Sequence, residues 1–206
     1  MAKMQPFWWF LPPPWPPSYV CWYNTCENCA DWTKVGTDIS CVLETILKQQ
    51  GTGSLHITCP ANKPADKIYI VPDDCDNYFG FWMRFPTYNV QFFVYLWSGS
   101  NYAGWVFSFS GTNLVYQVIY WVNGHTHTWP AVVISQNVWH WFEIWFNADR
   151  TNIYFTIDGV SVGSVSGLPA FGSFSKFQIE NRQDYQGTNL YVDYVRIADR
   201  QEYPPV

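Results

Sequence analysis

Charge is scarce in this chain of 206 residues: Lys, Arg, Asp and Glu make up 13% of it, about half the ~25% of an ordinary soluble domain. The 11 Lys and Arg are scattered and the net charge is −5. That leaves no basic face for nucleic acid. Long apolar runs are also missing. Polar or turn residues break every rich segment within about ten positions, too short for a helix that crosses a bilayer. Glutamate is rare, at positions 27, 44, 143, 180 and 202 only. Neither G-x-S-x-G nor H-E-x-x-H occurs, which removes the serine-nucleophile turn and the zinc-protease helix. No internal repeat of solenoid or propeller length is present.

What the chain has in excess is aromatic residues, 20% of the total with 13 Trp. Their placement is periodic. In 137–164, a run opened by Trp139 puts His140, Phe142, Ile144 and Phe146 on one side. Asp149 to Asn152 make a turn; Ile153, Phe155 and Ile157 then alternate up to Asp158-Gly159. Period-two alternation marks strands with one buried face. Asp-Gly between such runs marks a tight hairpin, because both central residues tolerate positive φ. The same pattern predicts strands near 41–49, 54–59, 67–71, 78–85, 90–97, 103–110, 114–122, 131–135, 139–147, 152–158, 160–165, 174–180 and 189–198. Residues before 38 read as irregular. A short helix opening at Thr37 to Ser40 is a weaker alternative to the first of these strands. Val192 and Val195 fall on opposite phases, which a bulge near Asp193 would reconcile.

Three stretches in this order resemble the laminin-G-like and concanavalin-like jelly rolls. They are the Trp-opened strand with its Asp-Gly hairpin; residues 77–86, with Phe81-Trp82-Met83-Arg84 at their centre; and residues 188–200, with Asp193, Val195, Arg196 and Ile197. The resemblance covers roughly 38–200. It implies an all-β, two-sheet antiparallel jelly-roll sandwich, with 38–206 as the domain and 1–37 as an extended N-terminal arm and Cys-rich region. Members include lectins, adhesive modules, glycoside hydrolases and structural proteins, so the fold leaves function open. The hydrolases carry E-x-D-x-x-E on one strand, and retaining chemistry needs its carboxyls ~5–5.5 Å apart. None of the five Glu sits in that motif, and on that ground the chain is expected not to be an enzyme.

Several strands are apolar on both faces. Phe93, Tyr95 and Trp97 oppose Phe92, Val94 and Leu96, and Trp139, Trp141, Glu143 and Trp145 oppose the Phe142 set. The outer face of a sandwich is ordinarily polar. Three readings stand: cover by loops or by the arm, a protein interface, or a glycan platform on Trp141, Glu143 and Trp145. The arm holds six prolines in its first twenty residues, polyproline II near 12–17, with no secretory leader pattern. Its Phe7, Trp8, Trp9, Phe10 and Trp15 suit packing on its own sandwich or on another copy.

Cys21, Cys26, Cys29, Cys41, Cys59 and Cys75 allow up to three disulfides, Cys41–Cys59 being the first pair expected across a hairpin. Free thiols, or a zinc site built on Cys26-x-x-Cys29 with Cys21 and Cys41, are the alternatives. Bridges would place the protein outside the cell or on a virion surface. His125-x-His127 reads as a solvated pair in a loop. Asp73, Asp74 and Asp76 read as an acidic loop, with calcium the weaker alternative. No cofactor is expected. The expected role is a structural protein whose arm and aromatic surfaces (Trp141 and Trp145 included) join copies of itself into a fibre; the alternative is a lectin-like module for cell-surface glycans.

Overall fold

The computed structural model describes residues 20–60, 66–73, 75, 77–86, 91–110, 113–181 and 188–198, the side chains of 21, 109 and 110 apart. Two eight-stranded antiparallel sheets pack face to face. The first runs β14 (Val160–Val165), β13 (Ile153–Ile157), β12 (Trp139–Phe146), β6 (Tyr78–Arg84), β16 (Thr188–Ala198), β4 (Ser54–Cys59), β3 (Ser40–Glu44), with β1 (Val20–Asn24) also on β16. The second runs β10 (His125–Thr128), β9 (Asn113–Val122), β8 (Asn101–Ser110), β7 (Phe92–Ser98), β15 (Lys176–Asn181), β5 (Lys67–Ile70), β2 (Thr33–Val35), with β11 (Val132–Val133) also on β9.

The core lies between the sheets and is built from alternate residues of each strand. Phe79, Phe81 and Met83 of β6 meet Phe142, Ile144 and Phe146 of β12 and Leu190, Val192, Val195 and Ile197 of β16. Facing them are Phe92, Val94 and Leu96 of β7, Trp105 and Phe107 of β8, and Phe177 and Ile179 of β15. Trp105 stands edge-on to Phe81 and Phe142, with centroids 5.7 and 5.3 Å away. T-shaped contacts of this kind bring the positive ring edge to the negative face.

The bulge expected near Asp193 is present. The register of β16 on β6 shifts between Asp193 and Val195, and Tyr194 takes φ +41°. The extra residue turns both Val192 and Val195 inward. The Asp158-Gly159 turn also forms, with φ of +52° and +74°. Asp158 then clips β12: its Oδ1 accepts the Trp141 backbone N–H at 2.8 Å, and its Oδ2 lies 2.6 Å from His140 Nδ1. His140 Nε2 lies 3.1 Å from the Ser135 carbonyl oxygen. One ring nitrogen thus meets the turn and the other the segment that leads into β12.

Several expectations need correction. Residues 20–24 and 33–35, read as irregular, are strands in the two sheets. Both pair with partners remote in sequence, so no local hairpin pattern announces them. No helix forms near Thr37; Ser40–Glu44 is a strand. His125 and His127 lie on β10, exposed, rather than in a loop. The bridge at Cys41 goes to Cys29 and not to Cys59. β3 and β4 do pair, but the register sets Cys41 opposite Ile57, two places from Cys59. Cys59 is instead buried beside Asn181, whose Nδ2 donates to its sulfur at 3.4 Å. Cys26 is a buried free thiol and Cys29 is bridged to Cys41, so a zinc set of Cys21, Cys26, Cys29 and Cys41 does not form. Cys75 is disulfide-bonded.

Candidate functional site

Each sheet turns a row of aromatic side chains away from the core. On the first sheet these come from β6, β12 and β16. Trp141 sits opposite Trp82 in register, and Glu143 sits opposite Gly80, which is itself opposite Arg196. Glycine at 80 has a steric reason: a Cβ there would lie 2.2 Å from the Trp141 ring. Trp141 therefore leans over Gly80, edge-on to Trp82 at 5.4 Å, beneath the Arg196 guanidinium at 4.9 Å. Trp82, Trp141 and Tyr194, with Trp139 against them, form a second apolar cluster separate from the core. Glu143 accepts from Thr156 Oγ1 at 3.4 Å on its other side.

Burial dominates the electrostatics of this face. It lowers the Arg196 pKa, against the attraction of Tyr194 and Glu143, and it raises that of the Tyr194 hydroxyl. It also pushes Asp193 up to about 6, although the backbone N–H groups of Gln50 and Gln49 donate to Oδ2 at 2.8 and 2.7 Å.

The proposed platform of Trp141, Glu143 and Trp145 is corrected by this geometry. All three share one face of β12, but Trp141 is 0% and Glu143 1% exposed. A stacking platform needs an open ring face, and Trp141 has none. Trp145 is half-buried, stacked on Tyr154 at 3.7 Å and on Tyr78 at 5.6 Å. Phe7, Trp8, Trp9, Phe10, Trp15, Asp74 and Asp76 lie outside the described residues, and Asp73 is exposed. Among the described residues no group of three or more His, Cys, Asp or Glu gathers to hold a metal ion.

The outer face of the second sheet is different. Trp97 lies opposite both Lys176 of β15 and Tyr102 of β8, and Tyr102 lies opposite Trp121 of β9. The next row holds Tyr69, Gln178, Tyr95 and Gly104. Tyr102 contacts Tyr95 at 4.7 Å and Trp97 at 5.1 Å. Trp97, Tyr102 and Tyr69 are half-buried, while Trp121 is 39% exposed. Polar groups stand among the rings. Lys176 Nζ is 4.6 Å from the centre of the Trp97 ring and 5.8 Å from that of Tyr69. Gln178 Nε2 donates to Glu180 Oε2 at 2.6 Å. The Gln178 amide oxygen and the Trp97 indole N–H are buried and have no partner. An unmet donor and an unmet acceptor thus lie on neighbouring rows of one face.

The signal for this face was half visible. Phe93, Tyr95 and Trp97 stood out as a second apolar set. Neither Lys176 nor Gln178 is singled out by the sequence reading, and Glu180 weighs there only as a glutamate outside the hydrolase motif, although three polar residues alternating with Phe177 and Ile179 mark the outward positions of a strand.

No family model and no curated protein matches the chain. Solved structures do. The cellulose-induced protein Cip1 superimposes with a TM-score of 0.60 at 15% identity, over 88% of this chain and 98% of that one. A carbohydrate esterase from the Shiga toxin-encoding bacteriophage phi24B has a TM-score of 0.60 at 12% identity, over 88% and 99%. A Bacillus licheniformis beta-glucanase has a TM-score of 0.58 at 14% identity, over 86% and 97%. The fold is the concanavalin-like jelly-roll sandwich.

At these identities the likeness establishes architecture. It also overturns the expectation that the chain is not an enzyme, since a beta-glucanase and a carbohydrate esterase share this sandwich almost end to end. The missing E-x-D-x-x-E concerned one strand only, and a sheet also brings together side chains from different strands. The expected fibre role draws no support from these likenesses.

Proposed function

We propose that this protein is directed at carbohydrate, and that the glycan lies on the outer face of the second sheet across Trp97, Tyr102, Tyr69 and Trp121. The carrying observation is a row of partly open rings, Trp97, Tyr102 and Trp121, with Tyr69 beside them and the Lys176 ammonium over Trp97. A sugar ring has an apolar C–H face and a rim of hydroxyls, each both donor and acceptor. Sites of that kind are built from aromatic walls with a few placed polar groups. The fold shared with proteins named for glucan and carbohydrate chemistry supports the reading. The Cys29–Cys41 disulfide suits work outside the cell.

Glu180 is the strand-borne carboxylate on this face among the described residues. Binding and turnover are therefore measured together. A glycan array followed by calorimetry should find a ligand for the parent protein. Trp97→Ala should weaken it by roughly thirtyfold, the scale of a ~2 kcal/mol aromatic hot spot. Release of new reducing ends by the parent, lost in Glu180→Gln, would place catalysis on the same face. An array with no ligand, or full affinity in Trp97→Ala, would sink the proposal.

The first sheet supports a narrower second reading. Its sealed outer cluster of Trp82, Trp141 and Tyr194 lies on the face that β1 reaches, where Val20 pairs with Ala198 and Ala198 with Tyr78. The arm that precedes Val20 carries Phe7, Trp8, Trp9, Phe10 and Trp15. On this reading the arm would cover its own sandwich rather than join copies into a fibre. Deleting residues 1–19 should then raise the accessibility of Trp139 and Trp145 to a tryptophan-oxidising probe. An unchanged oxidation pattern would reject it.

A further inference from the structure

The chain as a whole is acidic, with a net charge of −5. The aromatic face of the second sheet departs from that balance. Lys176 and Lys67 share the outward phase of neighbouring strands: Lys67 lies opposite Glu180, and Lys176, four residues before Glu180 on β15, lies opposite Trp97. Among the described residues neither lysine is in ion-pair contact with a carboxylate. Glu180 lies opposite Lys67 in register and is engaged by the Gln178 amide.

Lys176 is the more constrained of the two. Its ammonium rests over the face of Trp97 and near Tyr69. Burial lowers its pKa first; Lys67 lowers it further, and Glu180 opposes both. A second positive charge beside a partly desolvated ammonium raises the free energy of the empty face. An anion brought by a ligand would relieve it, because charge-assisted hydrogen bonds to an ammonium are about twice as strong as neutral ones.

Resting on the carbohydrate reading above, we propose that the ligand is an acidic glycan, whose sugar ring lies against Trp97 and whose carboxylate or sulfate group is held between Lys176 and Lys67. The arrangement splits the work. The rings supply affinity for any sugar, and the two ammonium groups supply the preference for a charged one.

The test is a set of calorimetric titrations on the full-length protein, at low and at high salt. The probes are hexagalacturonate for carboxylate, a carrageenan hexasaccharide for sulfate, and cellohexaose and galactohexaose as neutral counterparts. At low salt one or both acidic probes should bind at least roughly tenfold tighter than the neutral ones, the scale of a hydrogen bond to a charged group. That ratio should collapse in 1 M salt, where the screening length is about 3 Å. In Lys176→Gln with Lys67→Gln the ratio should also collapse. Trp97→Ala should weaken every probe that binds. Whichever acidic probe wins identifies the source of the anion. Equal or better binding of neutral probes, or a preference for acid that survives in the double variant, would overturn the inference while leaving the carbohydrate reading intact. Failure of all four probes and of a wider array would remove both.

Discussion

On the outer face of the first sheet, Trp141 is fully buried and Glu143 and Arg196 almost so. On the outer face of the second sheet, Trp97 and Tyr102 remain half open beside Lys176 and Glu180, while Gln178 and Tyr95 between them are buried. Both faces are rich in aromatics and both carry a glutamate. The difference lies in the cross-strand neighbours. Gly80 leaves a gap beside Glu143 into which Trp141 folds, so indole, guanidinium and carboxylate close over one another. The second sheet also has a glycine, Gly104, but a Cβ there would strike the Val94 carbonyl oxygen at 1.9 Å. That glycine serves close backbone approach and opens no gap for a ring. Aromatic content therefore does not identify a binding face. What identifies it is whether the rings have somewhere to fold down.

The largest effect expected from this contrast is on stability. Trp141→Ala should cost about 3–5 kcal/mol, the range for emptying a large buried aromatic site. Its effect on glycan affinity should be small. Trp97→Ala should reverse the pattern, with a modest loss of stability and the roughly thirtyfold loss of affinity. Urea unfolding and calorimetry on the two variants break the comparison if both properties fall together in either one.

Next comes Gly80→Ala. Its new methyl must push Trp141 aside, and overpacking of this sort costs about 1–3 kcal/mol. Trp141 should become more exposed, read as a red shift in fluorescence in a variant where the tryptophans of the second face are replaced. A methyl tolerated without loss of stability would mean that the first face is less tightly closed than its geometry shows.

A third test uses charge. The folded pKa of Asp193 is about 6, above the ~3.9 of an unfolded chain. Between those values the folded state keeps a proton that the unfolded state has shed. The contribution of Asp193 to stability is thus greatest below pH ~4, falls as pH rises, and levels off above pH ~6. The full fall is about 3 kcal/mol at the linkage rate of ~1.4 kcal/mol per pKa unit. Asp193→Asn should remove that slope from denaturation curves taken at pH 4, 5, 6 and 7. Equal slopes in parent and variant would place Asp193 in a wetter setting than the sealed face.

The smallest effect expected is at the edge of the open face. Trp121→Ala should lower affinity only a few-fold, since a rim contact is worth less than a central one. A loss as large as that of Trp97→Ala would move the centre of the site towards β9.

The amino-acid order alone determined most of the strands, because one buried face per strand imposes a period of two that can be counted. It determined the bulge at Asp193, since Val192 and Val195 cannot both face inward without an extra residue. It determined the Asp158-Gly159 turn through the positive φ that pair accepts. Local order did not reveal β1 or β2, whose partners stand far away in the chain. Nor did it reveal the partner of Cys41, which the pairing register of β3 and β4 decides. Only the tertiary structure separated the closed face from the open one. Trp141 is sealed by Gly80, Trp82 and Arg196, and Trp97 is kept company by Tyr102 and Lys176. Solvent access to a side chain on the outside of a sheet depends on what the adjacent strands place beside it, and those strands come from distant parts of the sequence.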